Sequence, residues 1–300
     1  MSVRHGYIDV SGAFVIPSPH GNLFRFNEGL ARMPVSGAWA FIDPKGRERL
    51  RVERAFTGFS DGLALTGEGF INPKGKVVLP VRFLNNFTRY VVGGKSYGHV
   101  GLFGSGLAPV TPPGAKASSA FIDKKGEVVL DGFGGGMVER FVDGKARVHL
   151  KTPPKGEVSR LIDPKGRCLA SYPFKSMGSF SEGLALAHKA RKLGFVDEAG
   201  AWVLEPAWSS WERDLSECRF SEGLAPVKVK GRYGFIDRKG TQVIAPRFKA
   251  VVGGFSQGVA PVKEDGLFGY IHPDGSWAIP PRFTSVQPFA HGLAAVSLPA

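Results

Sequence analysis

Acidic residues recur at a fixed place along this 300-residue chain: Asp9, Asp43, Asp123, Asp163, Asp197 and Asp237. Asn72 and His272 hold the same place in two further copies. Carboxylates in such an array could supply the acid and base of glycoside cleavage, which needs two of them at one substrate pocket. The spacing names no such pair. Each acid instead opens a four-residue segment such as Asp43-Pro44-Lys45-Gly46. In such a segment an Asp side chain accepts from backbone N–H groups further on, Pro presets φ, and Gly takes a positive φ. The acids therefore read as turn formers, with His272 serving the last turn.

Other chemistry is sparse. His5, His20, His99, His149, His188, His272 and His291 form no H-x-H, H-E-x-x-H or Cys/His cluster, so no metal or cofactor is expected. Gly134-Gly135-Gly136 lacks the Lys-Ser/Thr of a phosphate loop, and no G-x-S-x-G occurs. Cys168 and Cys218 stand apart from any C-x-x-C and are expected to be buried free thiols. No catalytic residue emerges.

Residues suited to contact are easier to find. The formal net charge is +13, which fits an acidic partner such as a polyanion, a nucleic acid or an acidic protein, or serves solubility alone. Basic residues gather at Lys189, Arg191 and Lys192, and again at Lys228, Lys230 and Arg232. Lys151, Lys155 and Arg160 precede them. Three segments depart from the surrounding pattern. Residues 84–101 hold Tyr90, Lys95, Tyr97 and His99; residues 112–119 enlarge a connection; residues 207–219 hold Trp208 and Trp211. Two tryptophans in a loop could form a contact hot spot or a stacking platform, or could plug the base of a unit.

The elements that would position these residues come from an internal repeat. F-x-x-G-L-A recurs at Phe26, Phe59, Phe103, Phe180, Phe220 and Phe289, as F-x-x-G-V-A at Phe255, and in a degenerate copy, Phe141-Val142-Asp143-Gly144-Lys145-Ala146. A turn residue follows each copy but the last, and Asp9 precedes the first. Leu224–Val229 is expected as strand A, Tyr233–Ile236 as strand B and Gln242–Ile244 as strand C. Pro246-Arg247-Phe248 and Pro281-Arg282-Phe283 then end the ladder or mark an edge. Alternate turns lie at opposite ends of such strands. The A–B turns share one face, and the Glu-Gly and Asp-to-Gly turns share the other.

A unit copied along the chain sets the architecture: all-β, with residues 1–300 as one repeat array and no helix. The first residues begin at a strand B, and the last supply a strand A with no strand B after it. Pairing them would remove two sheet edges. A closed, propeller-like ring of up to eight units is thus expected, with an open twisted hairpin array as the alternative. The spacing between turn residues varies, from 29 residues between Asp43 and Asn72 to 51 between Asn72 and Asp123.

The F-x-E-G-L-A-x-V phrase, the K-G-x-x-G-F-I-D turn and strand, and the V-I-P-x-F ending resemble the WG-repeat family of bacterial proteins. The Trp-Gly pair appears here as Tyr233-Gly234 and Phe268-Gly269, and as Trp39-Ala40. The resemblance implies β-structured interaction modules and carries over no catalytic residue. A non-enzymatic scaffold binding an acidic macromolecule through loops on one face is the expectation. A glycan-binding or glycan-cleaving propeller and a structural accessory module are the alternatives. No apolar run reaches the roughly 20 residues that span a membrane, and a cytoplasmic location is expected.

Overall fold

The computed structural model describes residues 5–84, 89–111, 119–133, 138–150, 159–174, 177–189, 192–209 and 218–299. Every regular element among them is a β-strand. The Asp237 repeat shows how the sequence produces them. Strand A is Leu224–Val229, strand B Arg232–Asp237 and strand C Gln242–Phe248, paired antiparallel in that order. A and B are buried through their middles, because neighbours cover both faces. Strand C alternates toward solvent. It runs further than the sequence suggests, because Pro246 remains within it. On an outer strand the missing N–H costs no ladder bond.

That proline explains the glycine of the Trp-Gly pair. A Cβ on Gly234 would lie 2.5 Å from the Ile244 carbonyl oxygen and 2.8 Å from the Pro246 nitrogen. Gly194 and Gly269 meet Leu204 with Pro206, and Ile279 with Pro281, in the same way. The register slips at each of these places as strand C crosses close over strand B. Where the glycine is replaced, by Ala40, Ala120 or Arg160, strand C contains no proline. Ala40 and Arg160 then pair in ordinary register with Arg51 and Ser171.

Successive repeats are joined by aromatic pairs. The strand B ring meets the Phe of the next F-x-x-G with centroids about 5 Å apart: Tyr7–Phe26, Phe41–Phe59, Phe70–Phe103, Phe121–Phe141, Phe195–Phe220, Phe235–Phe255 and Tyr270–Phe289. Tilted and edge-on ring pairs of this kind add about 0.5–1.5 kcal/mol each beyond their buried area.

The chain forms two compact units. One comprises residues 1–34, 43–47 and 174–300. Its cores run from Leu184 to Ile271, and from Ile8 through Tyr270 and Phe289 to Val296. Here His5–Ile8 pairs with Phe14–Ser18 on one side and with Ala294–Ser297 on the other, and Ser285–Val286 completes the sheet. The two ends of the chain thus share one sheet. The other unit comprises residues 35–42 and 48–173, with cores around Phe70 and Phe103 and around Phe121 and Phe141.

The two thiols are free, but only Cys218 is buried. Cys168 opens the outer strand Cys168–Tyr172 and is exposed, so the expectation of two buried thiols fails for it.

Candidate functional site

The recurrent acids are consumed by the backbone. Asp237 Oδ1 accepts from the Lys239 and Thr241 N–H groups at 2.9 and 2.8 Å. Asp9, Asp43, Asn72, Asp123, Asp163 and Asp197 each accept from the residues two and four positions on in the same way. The bond from Thr241 N–H holds the Asp237 carboxyl below its ordinary range. His272 keeps the backbone bonds of its turn, while the side-chain acceptor role passes to Asp274, which takes the Ser276 N–H. Among the described residues, no group of three or more His, Cys, Asp or Glu could hold a metal ion.

The third residue of each F-x-x-G is also structural. Glu28, Asp61, Ser105, Asp143, Glu182, Glu222, Gln257 and His291 all have φ between 48° and 56°. Several of their side chains reach the next repeat. Asp61 accepts from Gly106, Glu182 from Gly223, Glu222 from Gln257 and Gly258, Gln257 from Gly292, and His291 from Gly29. Asp61 and Glu182 also meet Lys124 and Arg238 at 3.2 and 3.7 Å, so charges on this face do offset each other.

The contact residues divide. Lys189 and Lys192 are exposed and stand directly opposite each other at the end of the strand pair Leu184–Lys189 and Lys192–Asp197. Lys230 and Arg232 are exposed on the neighbouring A–B hairpin. Lys228 lies with its ammonium 5.0 Å from the Tyr233 ring centre, and Arg232 Nη1 donates to the Arg247 carbonyl at 3.2 Å. Arg191 and Trp211 lie outside the described residues. Trp208 is not a loop residue: it sits in the outer strand Trp202–Ser209, half-buried, with its ring edge-on to Phe195. The extended strand C carried it there, and its packing favours the plugging role. Tyr97 is buried among Leu79, Val92 and Val100, which removes it from any contact surface, whereas His99 is exposed.

A hollow of about 670 Å³ lies in the second unit, lined by Leu50, Val52, Ile71 and Val81 with Arg51, Arg54 and Arg82. The 29-residue spacing was its only trace in the sequence.

A family model described as the WG containing repeat matches residues 69–95, 233–268 and 268–298. These three segments are WG-type β repeats. No curated protein matches the sequence. Among solved structures, the WG-repeat chain is similar to a eukaryotic initiation factor at 11% identity and TM-score 0.53, over 96% of this chain and 87% of that one. It also aligns with BamB from Moraxella catarrhalis at 13% identity and TM-score 0.45, over 99% and 88% of the two chains. The first likeness shows the fold alone: all-β, propeller-like and built of small antiparallel sheets. WG-type β repeats in such a fold suit a binding module.

Proposed function

We propose that this WG-repeat chain is a non-enzymatic scaffold that takes an acidic macromolecule on the A–B hairpins of its first unit. The Lys189–Lys192 pair carries the reading. Like charges directly opposite each other destabilise a strand pair. Among the described residues neither is in an ion pair, and Lys230 and Arg232 next to them are in none. The repeat does not require this arrangement. An anion bound there relieves the repulsion.

Every recurrent acid has a turn or capping role, which favours binding over glycan cleavage. The pairing of His5–Ile8 with Ala294–Ser297 supports residues 1–300 forming one closed array.

The test is binding of labelled single-stranded DNA and of polyglutamate across a salt series, with Lys189→Glu/Lys192→Glu beside the parent chain. The log–log slope should be about −0.7 for each phosphate contacted, and the reversal should flatten it. Comparable binding of both polymers supports an acidic partner of general kind. Binding of DNA alone that persists in salt makes nucleic acid the partner. Unchanged binding by the double variant removes this hairpin from the site.

A further inference from the structure

The hollow in the second unit arises from missing atoms that the repeat supplies elsewhere. In the Asp237 and His272 repeats, strand C ends on Phe248 and Phe283, both fully buried. The innermost bridge then follows, Val251 pairing with Val262. In the Asp43 repeat the corresponding bridge is Ala55 with Thr66. Ala55 comes 12 residues after Asp43, where Val251 comes 14 after Asp237. The two lost residues leave Val52, Glu53 and Arg54 to cover the stretch, with no aromatic ring among them.

The facing hairpin is cut back as well. Thr66 pairs with Gly69 across Gly67-Glu68 alone. In the His272 repeat the equivalent Val262 and Gly269 are separated by a longer hairpin that carries Phe268.

The spacing of the repeats does not shrink to compensate. Leu50 touches the Gly75 turn as Ile244 touches the Gly275 turn. The floor of the junction is therefore kept, and the missing ring and the shortened hairpin together leave an open hollow of about 670 Å³. Small-molecule sites typically enclose about 300–1,000 Å³ with a mainly apolar lining and a few polar groups. Here about half of the lining is apolar, from Leu50, Val52, Ile71 and Val81, and the other half is polar. Arg51, Arg54 and Arg82 line it together with Glu53 and Glu68, and Arg51 is paired with Glu48. Glu48 takes the Arg51 fork through two bonds, at 2.9 and 2.7 Å, so the guanidinium that bears on an added anion is that of Arg82. A planar guanidinium matches the oxygens of a carboxylate or phosphate.

We infer that this hollow is a binding site for a small organic anion, a carboxylate or phosphate monoester with an apolar body. The body lies on Leu50, Ile71 and Val81, and the anionic oxygens meet the Arg82 guanidinium. The site is separate from the lysine hairpins and stands whether or not they bind a partner.

The experiment is calorimetric titration of the full chain with phenyl phosphate and with benzoate, which distinguish the two anion chemistries. Inorganic phosphate and benzyl alcohol are the partial probes. Saturable binding of phenyl phosphate or benzoate, about tenfold or more tighter than either partial probe, is the expected result. Val52→Phe, which returns a ring to the junction, and Arg82→Ala should each weaken it about tenfold or more. Should Val52→Phe fail to fold, Arg82→Ala decides. No saturation by either anion below about 10 mM overturns the site. So does equal affinity for inorganic phosphate, or binding undiminished by the deciding variant.

Discussion

Arg282 donates from Nη2 to the carbonyl of Gly12, joining the last Pro-Arg-Phe to the first turn. Arg247 does the same to the Gly275 carbonyl one repeat earlier. Ile279 likewise approaches Gly12 as Ile244 approaches Gly275. The repeat that precedes the chain's first turn in space is thus its last in sequence, held by the bonds that join ordinary neighbours. Arg282→Ala should therefore cost about 1–2 kcal/mol, the scale of a bond from a charged donor, and Arg247→Ala a similar amount. Urea unfolding of both variants checks this. A loss in Arg247→Ala with none in Arg282→Ala would show that the joined ends contribute nothing to stability.

The glycine–proline relation makes a sharper case. Gly234→Ala forces a Cβ against the Ile244 carbonyl and the Pro246 nitrogen, backbone atoms that cannot swing aside. A loss of more than about 2 kcal/mol is expected, on the scale of overpacking. Ala40 lies under a strand C without proline, so Ala40→Gly should cost about 1 kcal/mol at most, the loss of a strand side chain. The double variant Gly234→Ala/Pro246→Val should recover part of the Gly234→Ala loss, because the close crossing goes with the proline. A double-mutant cycle with no coupling energy would refute the linkage.

These relations show what was legible in the sequence. Turn chemistry is local, so Asp237, Gly240 and the strand Leu224–Val229 could be read from adjacent residues. The coupling of Gly234 to Pro246 spans two strands and stayed hidden, although both residues stood out. Trp208 reads as a loop residue because residues 207–219 depart from the repeat pattern, and Pro206 stands just before them. The outer edge tolerates that proline, and the strand continues to Ser209. The left-handed residues were hidden for another reason: Glu, Asp, Ser, Gln and His fill the place, so no single residue type announces the backbone. The hollow left a trace as a short repeat, but its meaning needed the identity of the missing ring.

Acid should weaken the fold in a defined direction. Asp237 is held below its ordinary range by the Thr241 N–H, Asp9 by the Ser11 hydroxyl and Asp274 by the Ser276 hydroxyl. A carboxyl with a depressed folded-state pKa stabilises above its unfolded value, about 3.9 for Asp, and loses that contribution as pH falls through the folded value. The thermal midpoint should be level from neutrality to about pH 5 and fall below about pH 4. Asn72 makes the same two backbone bonds without ionising. Asp237→Asn should therefore stay close to the parent at pH 7 and lose less on acidification, while Asp237→Ala lowers the midpoint at both. Scanning calorimetry at several pH values reads this, and a steeper acid loss in Asp237→Asn would contradict it.

Glu222 combines a strained backbone with a bond to the next repeat, and the two can be separated. Its φ is 53°, a conformation that disfavours a side chain, and its carboxylate accepts from the Gln257 and Gly258 N–H groups at 2.6 and 2.9 Å. Glu222→Gln keeps one of the two acceptor oxygens, as Gln257 uses one toward Gly292, and should be the mildest change. Glu222→Ala keeps the strain and loses both bonds, for about 1–2 kcal/mol. Glu222→Gly also loses the bonds but relieves the left-handed strain, worth about 1 kcal/mol, so it should be the milder of the two. The order Gln, Gly, Ala in denaturant midpoint is the expected result. If alanine proves milder than glycine, the backbone conformation at this turn is not what limits the choice of residue there.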